Sequence, residues 1–207
     1  NAYRQGIMSL SNYLTDKSAL LVCSSAYGLK ASAQLGLTMQ LFSVISTIGN
    51  VLFNSLMPYI IQLKMKQLKN RAYEMITISI GVQSVIIFAG GIAITFFANP
   101  ILRIIGSNAS VLPIAECIII TLFVYIFSNQ QICCSYIIAG NKMPMYKAYI
   151  ITGALTIGFE LVLTYMFSAN LGIMTILIPQ LLLQLGYNGW RWPSFVFSVS
   201  KSSSVSG

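Results

Sequence analysis

The chain is 207 residues long; 56% of the residues are hydrophobic and only 8% are charged, against roughly a quarter in a typical soluble domain. Twelve bases and four acids give a net charge of +8, but the bases are sparse and lie between apolar runs, which argues against a nucleic-acid-binding face. So few charges cannot cover a soluble surface, and the composition predicts an all-α integral membrane protein.

Six apolar segments are long enough to cross a bilayer, which takes about 20 residues of helix. In chain order they cover residues 6–27, 33–63, 73–98, 112–139, 146–167 and 171–187. Turn residues end several of them, including Asn99-Pro100 and Gly140-Asn141. Pro179 lies inside the sixth segment and predicts a kink. We therefore expect a six-helix transmembrane lobe over residues 1–189 and a frayed, Ser-rich cytoplasmic tail over residues 190–207.

The basic residues predict how these segments cross the membrane. Nine bases fall at one set of segment ends, namely Arg4, Lys64, Lys66, Lys69, Arg71, Lys142, Lys147, Arg191 and Lys201, and only Lys30 and Arg103 fall at the other. The positive-inside rule then places both termini in the cytoplasm of a multi-pass inner-membrane protein. The four bases between residues 64 and 71 indicate either an amphipathic helix on the lipid headgroups or a topology signal alone.

The first segment carries polar side chains spaced 4, 3 and 4 residues apart, which places them on one helical face. They are Gln5, Ser9, Asn12 and Asp16. Lys17 and Tyr13 lie on the neighbouring face, and adjacent residues such as Asp16 and Lys17 do not face each other on a helix. A charge near mid-span costs about 3 kcal/mol on insertion scales. Asp16 and Lys17 therefore predict a water-filled translocation cavity, and the alternative is a structural ion pair with another helix.

Two further segments carry polar stripes. The second has Gln40, Ser43, Thr47, Asn50 and Asn54 at spacings of 3, 4, 3 and 4, which indicates either a cavity wall or a helix-packing seam. The fifth has Thr152, Thr156, Glu160 and Thr164 at successive steps of four. Glu160 is mid-span, where it predicts an ion-coupling site or an interhelix hydrogen bond, and the pattern does not choose between them.

Sequence motifs for bound groups are missing. The chain has four cysteines without a CxxC spacing, no histidine, and no Walker or Gly-rich phosphate motif. We therefore expect no metal, no cofactor, no ATP-driven step and no enzymatic activity.

Several runs resemble O-antigen and polysaccharide flippases. Residues 3–14 (YRQGIMSLSNYL) resemble the start of their seventh helix, and residues 31–41 (ASAQLGLTMQL) resemble the entry to their eighth. Residues 54–58 (NSLMP) are similar to the polar-then-Pro end of that eighth helix, and residues 186–193 (GYNGWRWP) to the exit from the twelfth. The resemblance covers nearly the whole chain except the Ser-rich tail.

This resemblance implies membership of the multidrug/oligosaccharidyl-lipid/polysaccharide exporter superfamily, whose members have twelve helices in two lobes around a V-shaped cavity. The chain, which begins at Asn1 rather than at a Met, would be the C-terminal lobe, with an N-terminal six-helix lobe as its partner. The implied activity is flipping of undecaprenyl-pyrophosphate-linked oligosaccharide to the outer leaflet, driven by an ion gradient. The partners would be that lipid-linked oligosaccharide and membrane lipids, and no nucleic acid.

The same resemblance implies a cavity in which cations meet the pyrophosphate, and Lys17 is the one mid-span base that could do so. The expected cavity residues are Lys17, Asp16, Asn12, Tyr13, Asn50 and Asn54. A drug or metabolite antiporter of the same superfamily is the nearest alternative, with Asp16 and Glu160 coupling cations. A membrane enzyme of polysaccharide synthesis and a purely structural membrane subunit are the remaining alternatives.

Overall fold

The structure, a computed structural model, describes residues 2–140 and 143–204, and all secondary structure in these ranges is helical. The elements are α1 (Ala2–Met65), α2 (Lys69–Ile104), α3 (Ile114–Ile138), α4 (Tyr146–Leu171), α5 (Met174–Pro179), a π-helical segment π1 (Gln180–Gln184) and α6 (Leu185–Ser204). Four helices, α1 to α4, are long and apolar enough to cross a membrane. The predicted all-helical fold is confirmed for the described residues.

Helix α1 is interrupted at Gly28, whose backbone has φ 83° and ψ 172°. The hydroxyl of Ser32 donates a hydrogen bond to the carbonyl of Leu20 at 3.2 Å, although twelve residues of straight helix would separate them by about 18 Å. The chain therefore folds back at Gly28 into two arms, residues 2–27 and 29–65. At 1.5 Å per residue, these arms are about 39 and 55 Å long.

The region of the predicted sixth span is broken rather than continuous. Helix α5 ends at Pro179, π1 follows at once, and α6 begins at Leu185. No single helix of spanning length therefore occupies residues 171–187, and the six-span count stays a prediction. Helix α6 also continues to Ser204, where the sequence predicted a frayed tail, and residues 205–207 lie outside the described ranges.

Two predicted boundaries differ from the structure. Helix α2 does not end at Asn99-Pro100 but continues to Ile104, although Pro100 lacks an N–H and crowds the carbonyl four residues before it. The next turn still forms, with Ile105 N bonded to Ile101 O at 3.1 Å. The basic stretch over residues 64–71 is divided among the end of α1, a short turn with Gln67 at φ 58°, and the start of α2. It is not an amphipathic helix of its own.

The helices enclose two buried apolar clusters with a polar layer between them. One cluster contains Ile76 of α2, and the other contains Ile87 of the same helix. Gln83 lies between them and is fully buried. It donates a 2.6 Å hydrogen bond to Asn50 Oδ1 of the second arm. Such bonds join helices in an environment where apolar contact alone gives little preference for association.

Candidate functional site

A cavity of about 570 Å³ opens between the two arms of α1, helix α3 and π1. Its walls combine apolar and small polar side chains: Asp16, Lys17, Ala19, Leu20, Leu35, Gly36, Met39, Gln40, Ser43, Ser46, Thr47, Phe123, Val124, Phe127 and Gln180. The fold-back at Gly28 creates this site, because it brings residues 16–20 of one arm opposite residues 35–47 of the other. The volume lies within the range of small-molecule sites.

Asp16 and Lys17, the two charges predicted for the cavity, both line it and are both exposed. Among the described residues no ion pair joins them, and the Nζ of Lys17 lies 5.6 Å from the centre of the Tyr13 ring. The cavity wall therefore presents one cation and one anion that are not neutralised by direct contact, beside hydroxyl and amide groups.

Glu160 of α4 lies behind the same wall and is fully buried. Ser18, next to Lys17, donates a 3.2 Å hydrogen bond to Glu160 Oε2. Gln180 of π1 adjoins the same carboxyl group and lines the cavity. Within the described ranges, Oε1 of Glu160 and Nε2 of Gln180 have no hydrogen-bond partner. A buried carboxyl group thus adjoins the cavity wall with part of its hydrogen-bonding capacity unused.

The polar stripe of the second arm divides between the two predicted roles. Gln40, Ser43 and Thr47 line the cavity. Asn50 instead bonds Gln83 of α2. Ser46, which is outside the predicted stripe, lines the cavity and also bonds Ser128 of α3 at 2.9 Å. The stripe is therefore a cavity wall at one end and a helix-packing seam at the other.

Four of the predicted cavity residues are not part of this cavity wall. Asn50 belongs to the buried polar layer, and Asn54 is exposed elsewhere on the second arm. Tyr13 is exposed and lies beneath Lys17, and Asn12 is half-buried one turn before Asp16. Asp16 and Lys17 are thus the predicted residues that the structure brings to the cavity, with Glu160 directly behind them.

The threonine face of α4 packs against neighbouring helices. Thr152 accepts a 2.9 Å hydrogen bond from Asn188 of α6, and Thr164 and Thr175 share a bond of 3.1 Å. This face positions Glu160 by fixing α4 against α5 and α6.

Sequence reasoning missed Gln180 and Ser18 as site residues. A signal for Gln180 exists, because an amide directly after Pro179 in an apolar run indicates a broken helix with a polar group at the break. π-helical turns of this kind occur often at functional sites. Phe123, Val124 and Phe127 give no comparable signal, since they look like any lipid-facing or core residues of α3.

Comparison with known proteins finds no match to this chain. No family model matches the chain, and neither a curated protein nor a solved structure matches it. The four long apolar helices fit a helical membrane protein, and any finer assignment depends on the chemistry of the cavity.

Proposed function

We propose that the chain is a six-span lobe of a multidrug/oligosaccharidyl-lipid/polysaccharide exporter, and that it flips undecaprenyl-pyrophosphate-linked oligosaccharide across the bacterial cytoplasmic membrane by alternating access. The six spans would be the two arms of α1, helices α2 to α4, and the broken region from α5 into α6. The observation that carries the proposal is the cavity lined by Lys17, Asp16 and small polar side chains.

The chemistry of this wall suits a phosphorylated sugar. Lys17 offers a cation to the pyrophosphate, while Gln40, Ser43 and Thr47 offer hydroxyl and amide groups to the sugar. Charges in membrane spans are costly and mark substrate or ion pathways. The break between α5 and π1 also supports transport, because broken helices in transporters line the substrate site.

The test replaces Lys17 with Ala in the full-length transporter that carries this lobe. Hydrogen bonds to charged groups contribute about 1.5–3 kcal/mol, so we expect export of the glycan to fall about tenfold or more. The matched control is Lys30→Ala, which removes an exposed lysine of the same helix that does not line the cavity. Glycan at the cell surface is measured beside the amount of transporter in the membrane. Export at the parent level in the Lys17→Ala variant contradicts the proposal.

Cation-coupled antiport is the second candidate, and the buried Glu160 favours it. Its carboxyl group adjoins Gln180, and within the described ranges its Oε1 has no hydrogen-bond partner. The carboxyl group of Asp16 is close enough to interact with it electrostatically. In proteoliposomes of the full transporter, we expect Glu160→Gln to abolish the response of transport to an imposed proton or sodium gradient. Glu74→Gln, a change at an exposed acid of α2, is the control. An antiporter of small molecules is indicated if Glu160→Gln stops transport while Lys17→Ala leaves it unchanged.

A further inference from the structure

A second concave surface lies on the outer face of α2 and α3, away from the cavity. It is a groove of about 300 Å³ lined by Phe88, Gly91, Ile92, Thr95, Phe96, Ile114, Ile118, Thr121 and Leu122. Its large side chains are exposed; for example, Phe96 is 60% and Ile118 is 54% accessible. Nothing in the proposed transport mechanism uses this groove.

Gly91 forms the floor of the groove. A Cβ at this position would lie 2.7 Å from the hydroxyl oxygen of Thr121, so α2 and α3 approach closely here while the larger side chains stand out on either side. The two threonine hydroxyls are already bonded within their own helices. Thr95 donates to Gly91 O at 2.7 Å, and Thr121 donates to Cys117 O at 2.8 Å. The groove therefore presents an almost wholly apolar surface despite its two hydroxyl groups.

Arg103 lies along the continuation of the groove. It is seven residues, or two helical turns, after Phe96, and so projects from the same face of α2. It is exposed and stands about 10 Å beyond Phe96 along the helix axis, while the groove from Phe88 to Phe96 is about 12 Å long. The groove and the stretch from Phe96 to Arg103 together extend about 22 Å along the helix. This length is close to the thickness of one leaflet, since a whole bilayer with its headgroups is roughly 40–45 Å thick.

We propose that this groove binds one acyl chain of an anionic phospholipid whose headgroup phosphate contacts Arg103. The wall of large apolar side chains matches a hydrocarbon chain, and the guanidinium group of Arg103 at headgroup distance matches a phosphate. The site is independent of the proposed transport function.

The test uses the whole protein in nanodiscs that contain phosphatidylglycerol or phosphatidylcholine with a photoactivatable group in one acyl chain. Adducts are mapped to single residues by mass spectrometry. We expect adducts concentrated on the groove residues. We also expect phosphatidylglycerol to be preferred about fivefold, the factor that corresponds to roughly 1 kcal/mol for one basic residue near anionic lipid.

Two neighbouring phenylalanines give a matched pair of variants. Phe96 is 60% exposed and lines the groove, whereas Phe97 is 61% exposed and does not. Phe96→Ala should reduce the groove adducts, and Phe97→Ala should leave them unchanged. Arg103→Gln, at an exposed position where folding is little affected, should remove the preference for phosphatidylglycerol while the acyl-chain adducts persist.

Three outcomes overturn the proposal. Adducts spread evenly over the lipid-facing surface indicate ordinary solvation by lipid. An unchanged lipid preference in Arg103→Gln removes the role of the cation. Absence of groove adducts, together with protein–protein crosslinks from the same residues, indicates that a helix of another lobe or chain covers the groove.

Discussion

Replacement of Gly28 by Ala tests the reversal that creates the cavity. The φ of 83° and ψ of 172° at Gly28 fall in a region that is open essentially to glycine alone, and a side chain there costs of order 1–3 kcal/mol. A Cβ at this position would meet no atom within 4 Å, so the expected loss comes from backbone strain and not from collision. We expect Gly28→Ala to lower the free energy of unfolding by about 1–3 kcal/mol.

The matched control is Gly81→Ala, because Gly81 is within helix α2 and a Cβ there also meets no atom within 4 Å. Ala is favoured over Gly inside a helix by about 0.5–1 kcal/mol, so this change should raise stability. The two substitutions are thus expected to have opposite signs. Reversible unfolding in mixed micelles, followed by circular dichroism, measures both. If Gly28→Ala stabilises the protein as Gly81→Ala does, the chain runs straight through residue 28 and the reversal is wrong.

Two further predictions concern helix packing. Asn50→Ala should destabilise the protein by about 0.6–1.7 kcal/mol, the range measured for polar pairs between membrane helices. A double-mutant cycle with Gln83→Met should give a coupling energy of the same size. If the two changes in unfolding free energy simply add, the hydrogen bond between these residues contributes nothing and the polar layer is contradicted. Gly189→Ala should lower the free energy of unfolding by about 1–3 kcal/mol, because its Cβ would lie 2.3 Å from Ile126 Cγ2. Gly186→Ala in the same helix is the control: its Cβ would meet no atom within 4 Å, so this change should be neutral or stabilising in the same unfolding assay.

Apolar length predicted the helices well where turn residues bound them. The fourth segment was expected over residues 112–139 and is found as Ile114–Ile138. Helix ends were less predictable where a proline was present. Pro100 suggested an end that the structure does not have, because the cost of a missing N–H near the last turn is offset by the bonds after it. Pro179 suggested a kink, yet the break there also includes a π-helical segment.

The candidate site was only partly predictable for a different reason. Periodicity places Asp16 and Lys17 on the surface of their helix, and the cost of charge in a membrane indicates that they need a polar environment. It does not say which other helices supply that environment. Gln180 reaches the cavity only because π1 follows Pro179, and Ser18 contacts Glu160 only because α4 packs on the first arm. Both relations depend on tertiary contacts between segments more than 100 residues apart in sequence.

The polar side chains of the bundle divide according to whether another helix satisfies them. Ser128 has a partner on the second arm, and Thr152 has one on α6; such bonds fix helix positions. Within the described ranges, Asp16 and Lys17 have no such partner on another helix, and both line the open cavity. Glu160 is intermediate between these two classes of side chain, since one carboxyl oxygen is bonded to Ser18 and the other has no partner among the described residues. A carboxyl group that is half bonded can change partners at a small cost in hydrogen bonds. Under the proposed cation-coupled antiport, Glu160 would be the group that links arrival of a cation at Asp16 to a shift of α4 and of the helices packed on it.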